Sequence, residues 1–343
     1  MQVFVSGATG RVGGSLSKLL IGQGHTVRTI ALPEDRNLEA TRALGVECIV
    51  GNLADYGAVK QAIEGADSVF HMAAVISFQP QARDAIWNAN VVGTYNVLRA
   101  AADQTARKRV RLIFASSDQV YPTRFARYRP TDEMHPREPY SFYGMSKLLG
   151  EDMARFYARS EPNLDVSIAV FSHIEAAHEL IDPNGEYSSA AFYVNGRVRS
   201  LKAASTHHAG ATSNDELRAM LDILEPLVAD DEPLLITYDQ QGRPHTQELV
   251  DVRDIVHGLM LIHDKPEAIG ETFNLAPATP VSLAEFIPYL AEATGRRYVE
   301  AHIPVELGRT HGSAAKARAL LGFVPKYSLF DMVDEAVGRK AAR

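Results

Sequence analysis

The sequence predicts an α/β protein built on a doubly wound parallel sheet, with a smaller and less regular C-terminal lobe. Short apolar strand patterns alternate with helical patterns up to residue 172, as in sheets whose parallel strands are covered by helices on both faces. A glycine-rich turn separates the first strand pattern from the first helix pattern. This combination is typical of the Rossmann fold.

Length and composition exclude several classes of protein. The chain has 343 residues, a net charge of −7 and 46% hydrophobic residues, and its basic residues are dispersed. Nucleic acid is therefore not an expected partner. No apolar run approaches the roughly 20 residues that span a bilayer, so we expect no membrane contact. Cys48 is the single cysteine, which excludes an internal disulfide, and Met1 leads into a strand pattern instead of a signal peptide. These features favour a cytoplasmic location.

The predicted elements divide the chain into two parts. In the first part, strands are predicted over residues 3–6, 26–32, 47–50, 68–72, 111–115 and 166–171, and helices over 15–23, 84–103 and 140–160. In the second part, helices are predicted over 214–229, 252–264, 283–294 and 329–342, and strands over 234–238 and 247–250. We therefore expect an NAD(P)-binding domain over 1–172. Residues 173–343 should form mainly a substrate-binding lobe, with some segments returning to the first domain.

The glycine-rich turn predicts a dinucleotide site. Gly7, Gly10 and Gly13 follow a strand and open a helix, with a spacing one residue longer than the common Gly-x-Gly-x-x-Gly pattern. Glycines permit unusual backbone angles and the close approach of a pyrophosphate, and the amides at a helix N-terminus hold phosphates. The cofactor contacts predicted in this turn are Gly7, Thr9, Gly10, Arg11, Val12 and Gly13.

The choice between NAD and NADP stays open, with a slight preference for NAD. An acidic residue about 20 positions after the glycines would hold the ribose hydroxyls of NAD, but Ala31 and Leu32 end the second strand. Glu34 and Asp35 follow slightly later, with Arg36 beside them. Asn52 could bond the adenine edge, although an ordinary loop role is the alternative. The other predicted cofactor contacts are Leu53, Ala73, Ala74 and Asn90.

A catalytic group is predicted around Tyr143 and Lys147, which lie four residues apart on one helix face. A free tyrosine has a pKa of about 10, and a nearby ammonium favours the phenolate. A hydroxyl from Ser117 could bond the same substrate oxygen, so the three groups could move a proton while hydride is transferred. Tyr140 lacks this partner because Gly144 stands four residues on.

With these residues in place, the chain resembles the extended short-chain dehydrogenases/reductases, the NAD-dependent epimerase/dehydratase family, over nearly its whole length. The motifs occur in the family's order: Gly7-x-x-Gly10-x-x-Gly13; His71-Met72-Ala73-Ala74; Asn90-x-x-Gly93-Thr94; Ser116-Ser117-x-x-Val120-Tyr121; Tyr143-x-x-x-Lys147; and segments 250–254, 271–274 and 320–325. The resemblance implies that Tyr143 is the acid/base, that Lys147 also binds the nicotinamide ribose, and that Ser117 positions the substrate oxygen. It further implies a small-molecule, carbohydrate-like substrate, with a homodimer as the candidate assembly.

Several residues depart from the family's pattern. Gln247-Glu248 stands where an arginine for substrate phosphates is usual, and residues 169–173 lack the usual arginine motif. Because arginines hold a diphosphate with paired donors, their loss favours a free sugar or polyol-like substrate over a nucleotide sugar. Asp118 is a candidate auxiliary acid, but Gln119 replaces the carboxylate of the 4,6-dehydratases. The segment 200–230 is longer than usual, which suggests a remodelled pocket.

The resemblance favours an epimerase, which oxidises an alcohol carbon and returns the hydride to the other face. The alternative is a net NAD(P)-dependent dehydrogenase or reductase of a non-nucleotide sugar or polyol-like alcohol. A 4,6-dehydratase and a non-catalytic NAD(P)-binding protein rank lower. No metal site is predicted, because the histidines of 173–178 are five apart and His207-His208 lacks partner spacing.

Overall fold

The computed structural model describes residues 1–122, 125–185, 189–205, 213–307 and 310–339. The strands are β1 (Gln2–Ser6), β2 (Thr26–Ala31), β3 (Glu47–Val50), β4 (Ser68–His71), β5 (Val110–Ser117), β6 (Leu164–Phe171), β7 (His173–Glu175), β8 (Leu234–Tyr238), β9 (Thr246–Gln247), β10 (Leu249–Asp251), β11 (Thr272–Leu275), β12 (Val281–Ser282) and β13 (Tyr298–His302).

The α-helices are α1 (Arg11–Gly22), α2 (Leu38–Ala43), α3 (Tyr56–Ile63), α4 (Arg83–Ile86), α5 (Gly93–Gln104), α6 (Phe142–Ser160), α7 (Val194–Ser205), α8 (Asn214–Leu224), α9 (Val252–Asp264), α10 (Leu283–Thr294), α11 (Ala315–Leu321) and α12 (Leu329–Ala336). A π-helical segment, Trp87–Val92, joins α4 to α5. None of the helices in the described ranges is long and apolar enough to cross a bilayer.

Seven parallel strands form the central sheet in the order β11-β6-β5-β4-β1-β2-β3. The chain runs outward from β1 to β3 and then in the other direction from β4 to β6, so the order reverses between β1 and β4. Open sheets of this kind bind ligands at the carboxyl ends of the strands beside the reversal. The predicted doubly wound sheet is confirmed, and the second half returns β11 to its edge.

Alternate residues of β1 pack against opposite layers of helices. Val3 and Val5 belong to the cluster with α1, α9 and α11, whereas Phe4 belongs to the cluster with α3, α5 and α6. This alternation follows from the two-residue period of a strand and makes the sheet the middle of three layers. Two further apolar clusters lie in the second half, one around β8, α10 and α12 and one around α7, α8 and β13.

Three predicted helices differ from the observed ones. The helix expected over 214–229 stops at Leu224, and a 3₁₀ turn with Pro226 follows, because proline lacks the amide that continues a helix. The helix expected over 329–342 stops at Ala336, and 340–343 lie outside the described residues. The helix expected over 84–103 is interrupted by the π segment, which sequence periodicity does not reveal.

Candidate active site

The first turn of α6 is fixed against the loop that follows β5. Ser141 caps the helix by accepting a bond from the Gly144 amide at 2.9 Å. A Cβ on Gly144 would lie 2.3 Å from the Gln119 carbonyl oxygen, so only glycine permits this approach. The contact places Tyr143 beside the turn that follows Ser117, the last residue of β5. Tyr143, Ser117 and Lys147 all line one cleft.

Lys147 carries its ammonium into a poorly hydrated place. Its side chain is buried, with Nζ 5.0 Å from the centre of the Phe114 ring. Burial lowers the pKa of Lys147 to about 8, and the charge of Glu151 opposes the shift. A cation held in this way favours a neighbouring anion, which is what a tyrosine acting as a base requires.

Glu151, which sequence reasoning missed, ties α6 to the strand that delivers the serines. Its Oε1 accepts a 2.6 Å bond from Ser116 Oγ, and its Oε2 accepts 2.9 Å bonds from Arg137 and Arg155. The carboxylate is 1% exposed and well supplied with donors. Because Glu151 follows Lys147 by one helical turn, the four-residue spacing was the signal that could have identified it.

Ser117 ends β5 with its hydroxyl oriented by its own loop. Its Oγ donates to Asp118 Oδ1 at 3.2 Å and accepts from the Gln119 amide at 3.3 Å. Ser117 and Asp118 both line the cleft. The predicted serine therefore lines the same cleft as Tyr143 and Lys147.

A buried acid behind Asp118 was also missed. Glu248 and Asp118 line a second, small cavity next to the cleft. Burial raises the pKa of Glu248 to about 7, the charge of Asp118 adds to the shift, and bonds from Gly312 and Thr310 oppose it. Glu248 has no periodic signal in the sequence, because it lies between two strands of only two and three residues, β9 and β10.

The glycine-rich turn has the shape that a pyrophosphate needs. Gly7 has a φ of +73°, and a Cβ there would lie 2.9 Å from the Ala73 backbone. A Cβ on Gly13 would lie 2.1 Å from the Gly7 carbonyl oxygen, whereas one on Gly10 would meet only that oxygen, at 3.4 Å. Gly10 caps α1 without a side-chain bond, so the first-turn amides, including that of Val12, point to the cleft. These residues fit the phosphates of a dinucleotide.

Thr9 and Asp35 close the adenosine side of the cleft. Thr9 Oγ1 donates to Asp35 Oδ2 at 2.7 Å, and the Asn37 amide donates to Asp35 Oδ1 at 2.9 Å. Asp35 and Arg36 both line the cleft, so groups of opposite charge border it at this end. Glu34 is not among the lining residues.

The Arg11 side chain joins the glycine-rich turn to the second half of the chain. It donates to Glu179 Oε1 at 2.9 and 2.8 Å and to the Ile174 carbonyl at 2.7 Å, and it lies 3.4 Å from Glu175. Burial raises the pKa of Glu175. The predicted phosphate contact of Arg11 is thus best assigned to its backbone amide, because its guanidinium is engaged by carboxylates.

The remaining predicted contacts divide between the cleft wall and the layer behind it. Asn52, Leu53, Ala73 and Ala74 line the cleft. Asn90 does not: it is 2% exposed, and its amide bonds both backbone groups of Val75 and the Ser146 hydroxyl. Ser146 Oγ in turn donates to the Tyr143 carbonyl at 2.7 Å. Asn90 therefore connects the cleft wall at Val75 to Ser146 of α6.

His71 is held as a neutral imidazole by a chain of hydroxyls. Ser6 Oγ and His71 Nδ1 are 2.6 Å apart, and His71 Nε2 and Thr94 Oγ1 are 2.9 Å apart. Because Thr94 donates to the Asn90 carbonyl, it accepts from Nε2–H, and Ser6 donates to Nδ1. Burial lowers the pKa of His71 to about 3, and the Lys147 charge adds to the shift.

This arrangement predicts a pH dependence. The unfolded chain binds a proton on His71 near the ordinary pKa of 6.5, but the folded protein does so only near 3, so this contribution to stability is complete above pH 6.5 and declines as the pH falls. We expect the imidazole signals of His71 in NMR spectra to keep the neutral form as the pH falls below 6.5. A titration midpoint close to 6.5 in the folded protein would contradict the assignment of His71 as a buried neutral imidazole.

Within the ranges that the structure describes, no group of three or more His, Cys, Asp or Glu side chains could hold a metal ion. His173 lines the cleft, and Glu175 and Glu179 of the same segment engage Arg11. The pair His207-His208 lies outside the described residues, as does much of the long segment between α7 and α8.

Comparison with curated proteins shows partial matches to sugar dehydrogenases. The chain is 35% identical to a uronate dehydrogenase of Pseudomonas syringae pv. tomato over 159 residues, which are 46% of this chain and 54% of that protein. It is 30% identical over 205 residues to an L-arabinose 1-dehydrogenase (NAD(P)(+)) of Haloferax volcanii, and the match covers 56% of this chain and 75% of that protein. The chain spans about half the length of the first curated relatives that it matches.

Solved structures match along nearly the whole chain. A short-chain dehydrogenase/reductase superfamily protein of Agrobacterium tumefaciens with bound NAD is 33% identical with a TM-score of 0.87, covering 98% of this chain and 96% of that one. A UDP-glucose 4-epimerase of Thermotoga maritima, 20% identical with a TM-score of 0.75 over 98% of both chains, shows the shared fold.

The sequence model of one family extends over most of the chain. The NAD dependent epimerase/dehydratase family matches residues 3–276, a range that includes the glycine-rich turn, the two serines that end β5 and the Tyr143–Lys147 pair. The resemblance inferred from the motifs is confirmed. The chain belongs to the NAD dependent epimerase/dehydratase family.

Proposed function

We propose that the chain is an NAD(P)-dependent oxidoreductase that removes hydride from an alcohol carbon of a carbohydrate-like substrate without a nucleotide. One observation carries this proposal: Tyr143, Lys147 and Ser117 line the same cleft as the glycine-rich turn. The proton-transfer groups and the phosphate-binding turn can therefore act on one bound pair of substrate and cofactor.

Each residue has a defined part in the reaction. Tyr143 takes the proton of the substrate hydroxyl, and the buried charge of Lys147 stabilises the phenolate that does so. Ser117 holds the same substrate oxygen through its hydroxyl. A dinucleotide held by the glycine-rich turn and Lys147 would supply the nicotinamide as hydride acceptor. In the reverse direction Tyr143 returns its proton to the carbonyl oxygen.

We favour net dehydrogenation over epimerisation, which was the reaction that the family resemblance favoured. Gln247, which is uncharged, lines the cleft at the place where an arginine for substrate phosphates is usual in nucleotide-sugar epimerases of the family. Both partial curated relatives described above are named as dehydrogenases of sugars that bear no nucleotide. Epimerisation remains the second candidate, because the catalytic residues are common to both reactions.

The cofactor preference rests on Asp35. A carboxylate at the ribose side of the cleft disfavours the extra phosphate of NADP by charge repulsion. Arg36 borders the same region, and its positive charge favours the extra phosphate of NADP. We favour NAD because both oxygens of Asp35 are held in place by Thr9 and Asn37.

Loss of the phosphate-binding arginine predicts weak binding of UDP. We expect a Kd for UDP above about 1 mM in calorimetry, because no bidentate guanidinium meets the diphosphate at Gln247. The variant Gln247→Arg should bind UDP on the order of tenfold more tightly, since it restores that donor. Micromolar binding of UDP to the unaltered protein would contradict the proposed substrate class.

The cofactor content of the purified protein tests the type of reaction. A dehydrogenase exchanges its cofactor at every turnover, whereas an epimerase regenerates it in place. Denatured protein should therefore release little nicotinamide nucleotide in mass spectrometry, and added NAD should bind reversibly. Release of one NAD per chain would favour the epimerase instead.

A further inference from the structure

Helix α7 brings two arginines from the second half of the chain to the cleft, Arg197 and Arg199. Val194, Val198 and Leu201 anchor the helix in an apolar cluster with α8 and β13. A Cβ on Gly196 would lie 2.2 Å from the Ala190 carbonyl oxygen, so the start of α7 is tightly packed. Arg197 follows directly, is half-buried and lines the cleft. Its backbone is therefore fixed, and its side chain lines the same cleft as Tyr143 and Ser117.

The guanidinium of Arg197 makes no hydrogen bond or ion pair with any residue in the described ranges of the chain. Its backbone amide bonds the Tyr193 carbonyl as part of the helix. Burial lowers the pKa of Arg197, and no carboxylate opposes the shift. Other arginines of the cleft differ: Arg11 is engaged by Glu179, and Arg199 donates to the Pro183 carbonyl at 2.9 Å.

An uncompensated guanidinium away from water is costly unless a ligand supplies the missing acceptors. Arg197 presents several N–H donors in one plane, which match the two oxygens of a carboxylate. A single cation suits a single negative charge. A substrate diphosphate would bring more negative charge to the part of the cleft that Asp118 borders beside Ser117.

We propose that Arg197 binds a carboxylate of the substrate, so that the enzyme acts on an acidic sugar. This inference rests on the proposed function and adds the chemical class of the substrate. Arg197 is a specificity residue in this account: it holds a part of the substrate remote from the carbon that loses hydride. Its loss should therefore weaken binding more than it slows the chemical step.

Matched substrates and variants test the assignment. Hexuronates, the corresponding neutral hexoses and hexose phosphates would be compared as substrates of the full chain with NAD. We expect hexuronates to be preferred, and Arg197→Gln to raise their KM on the order of 10- to 100-fold with little change in kcat. Arg197→Lys should restore part of the loss. Turnover of neutral hexoses should not respond to either variant.

Arg218→Gln is the control, because it removes the same charge from an exposed position of α8 that does not line the cleft. It should leave every constant unchanged. An equal preference for neutral hexoses, or an unchanged KM for hexuronates in Arg197→Gln, would overturn the proposal. A preference for hexose phosphates that depends on Arg197 would likewise overturn the carboxylate assignment.

Binding measurements separate this proposal from the proposed function. Calorimetry of the Tyr143→Phe variant with NAD measures hexuronate binding while turnover is slow, and adding Arg197→Gln should weaken that binding on the order of 10- to 100-fold. If Tyr143→Phe binds no hexuronate while the unaltered enzyme oxidises neutral sugars, Arg197 is wrongly assigned but the oxidoreductase stands. If hexuronates bind through Arg197 and no sugar is oxidised with either dinucleotide, the oxidoreductase is wrong and the anion site stands. Unchanged NAD affinity and circular dichroism in Arg197→Gln would verify that the variant folds.

Discussion

Replacement of Tyr143 by phenylalanine is expected to lower turnover by roughly 10²- to 10⁴-fold, the range for loss of a general acid or base. The change removes one oxygen from a side chain that is 6% exposed, so packing against Phe78, 6.3 Å away between ring centres, should persist. Affinity for the dinucleotide should be largely unchanged, because the phosphates are held at the other end of the cleft. Steady-state kinetics and calorimetry with NAD measure the two effects.

Tyr140→Phe is the matched control. Tyr140 lies three residues earlier, is 54% exposed and packs against Phe125 at 5.5 Å. It lacks a lysine one turn later, since Gly144 occupies that position. The control should turn over at the unaltered rate. Equal rates for the two variants would remove the acid/base role from Tyr143.

Replacement of Gly13 by alanine is expected to weaken dinucleotide binding at least about tenfold. The new Cβ would lie 2.1 Å from the Gly7 carbonyl oxygen and 2.6 Å from its carbon. Both atoms belong to the backbone of the turn, so the turn itself must move away from α1. We also expect a loss of about 1–3 kcal/mol in the free energy of unfolding, as for other overpacked sites. Calorimetry with NAD and denaturant unfolding measure the two losses.

Gly22→Ala provides the comparison within the same helix. A Cβ on Gly22 would meet nothing within 4 Å, and alanine is favoured over glycine in a helix by about 0.5–1 kcal/mol. The control should bind the dinucleotide normally and be no less stable than the unaltered protein. Unaltered binding by Gly13→Ala would contradict the phosphate-binding role of the turn.

Local sequence patterns sufficed for much of the fold. Strand β3 (Glu47–Val50) and helices α9 (Val252–Asp264) and α10 (Leu283–Thr294) lie within the predicted bounds, because their apolar periodicity and flanking residues are local signals. Helix α7 was not predicted, since its buried face is defined by contacts with α8 and β13. Strand β11 was recognised only as a motif, as its pairing with β6 joins residues about 100 positions apart.

The residues of the site likewise divide into those that local sequence patterns identify and those that only tertiary contacts define. The Tyr143–Lys147 spacing and the glycine-rich turn are short-range patterns, and the structure brings their residues to one cleft. Glu248 and Arg197 could not be identified from the sequence, because what distinguishes them is burial and the identity of distant neighbours. For Asn90, the sequence motif could be recognised locally. The side chain's bonds to Val75 and Ser146 depend on tertiary packing, which the motif does not show.

The most direct test of the proposed function is the stoichiometry between sugar consumed and nicotinamide reduced. Purified enzyme, NAD and a hexuronate would be incubated while reduced nicotinamide is followed by its absorbance and the products by mass spectrometry. We expect one reduced nicotinamide for each sugar consumed, a product lighter by two hydrogens, and a rate that is lower by roughly 10²- to 10⁴-fold in Tyr143→Phe. Conversion of the sugar to an isomer of unchanged mass, without accumulation of reduced nicotinamide, would contradict net dehydrogenation and establish an epimerase.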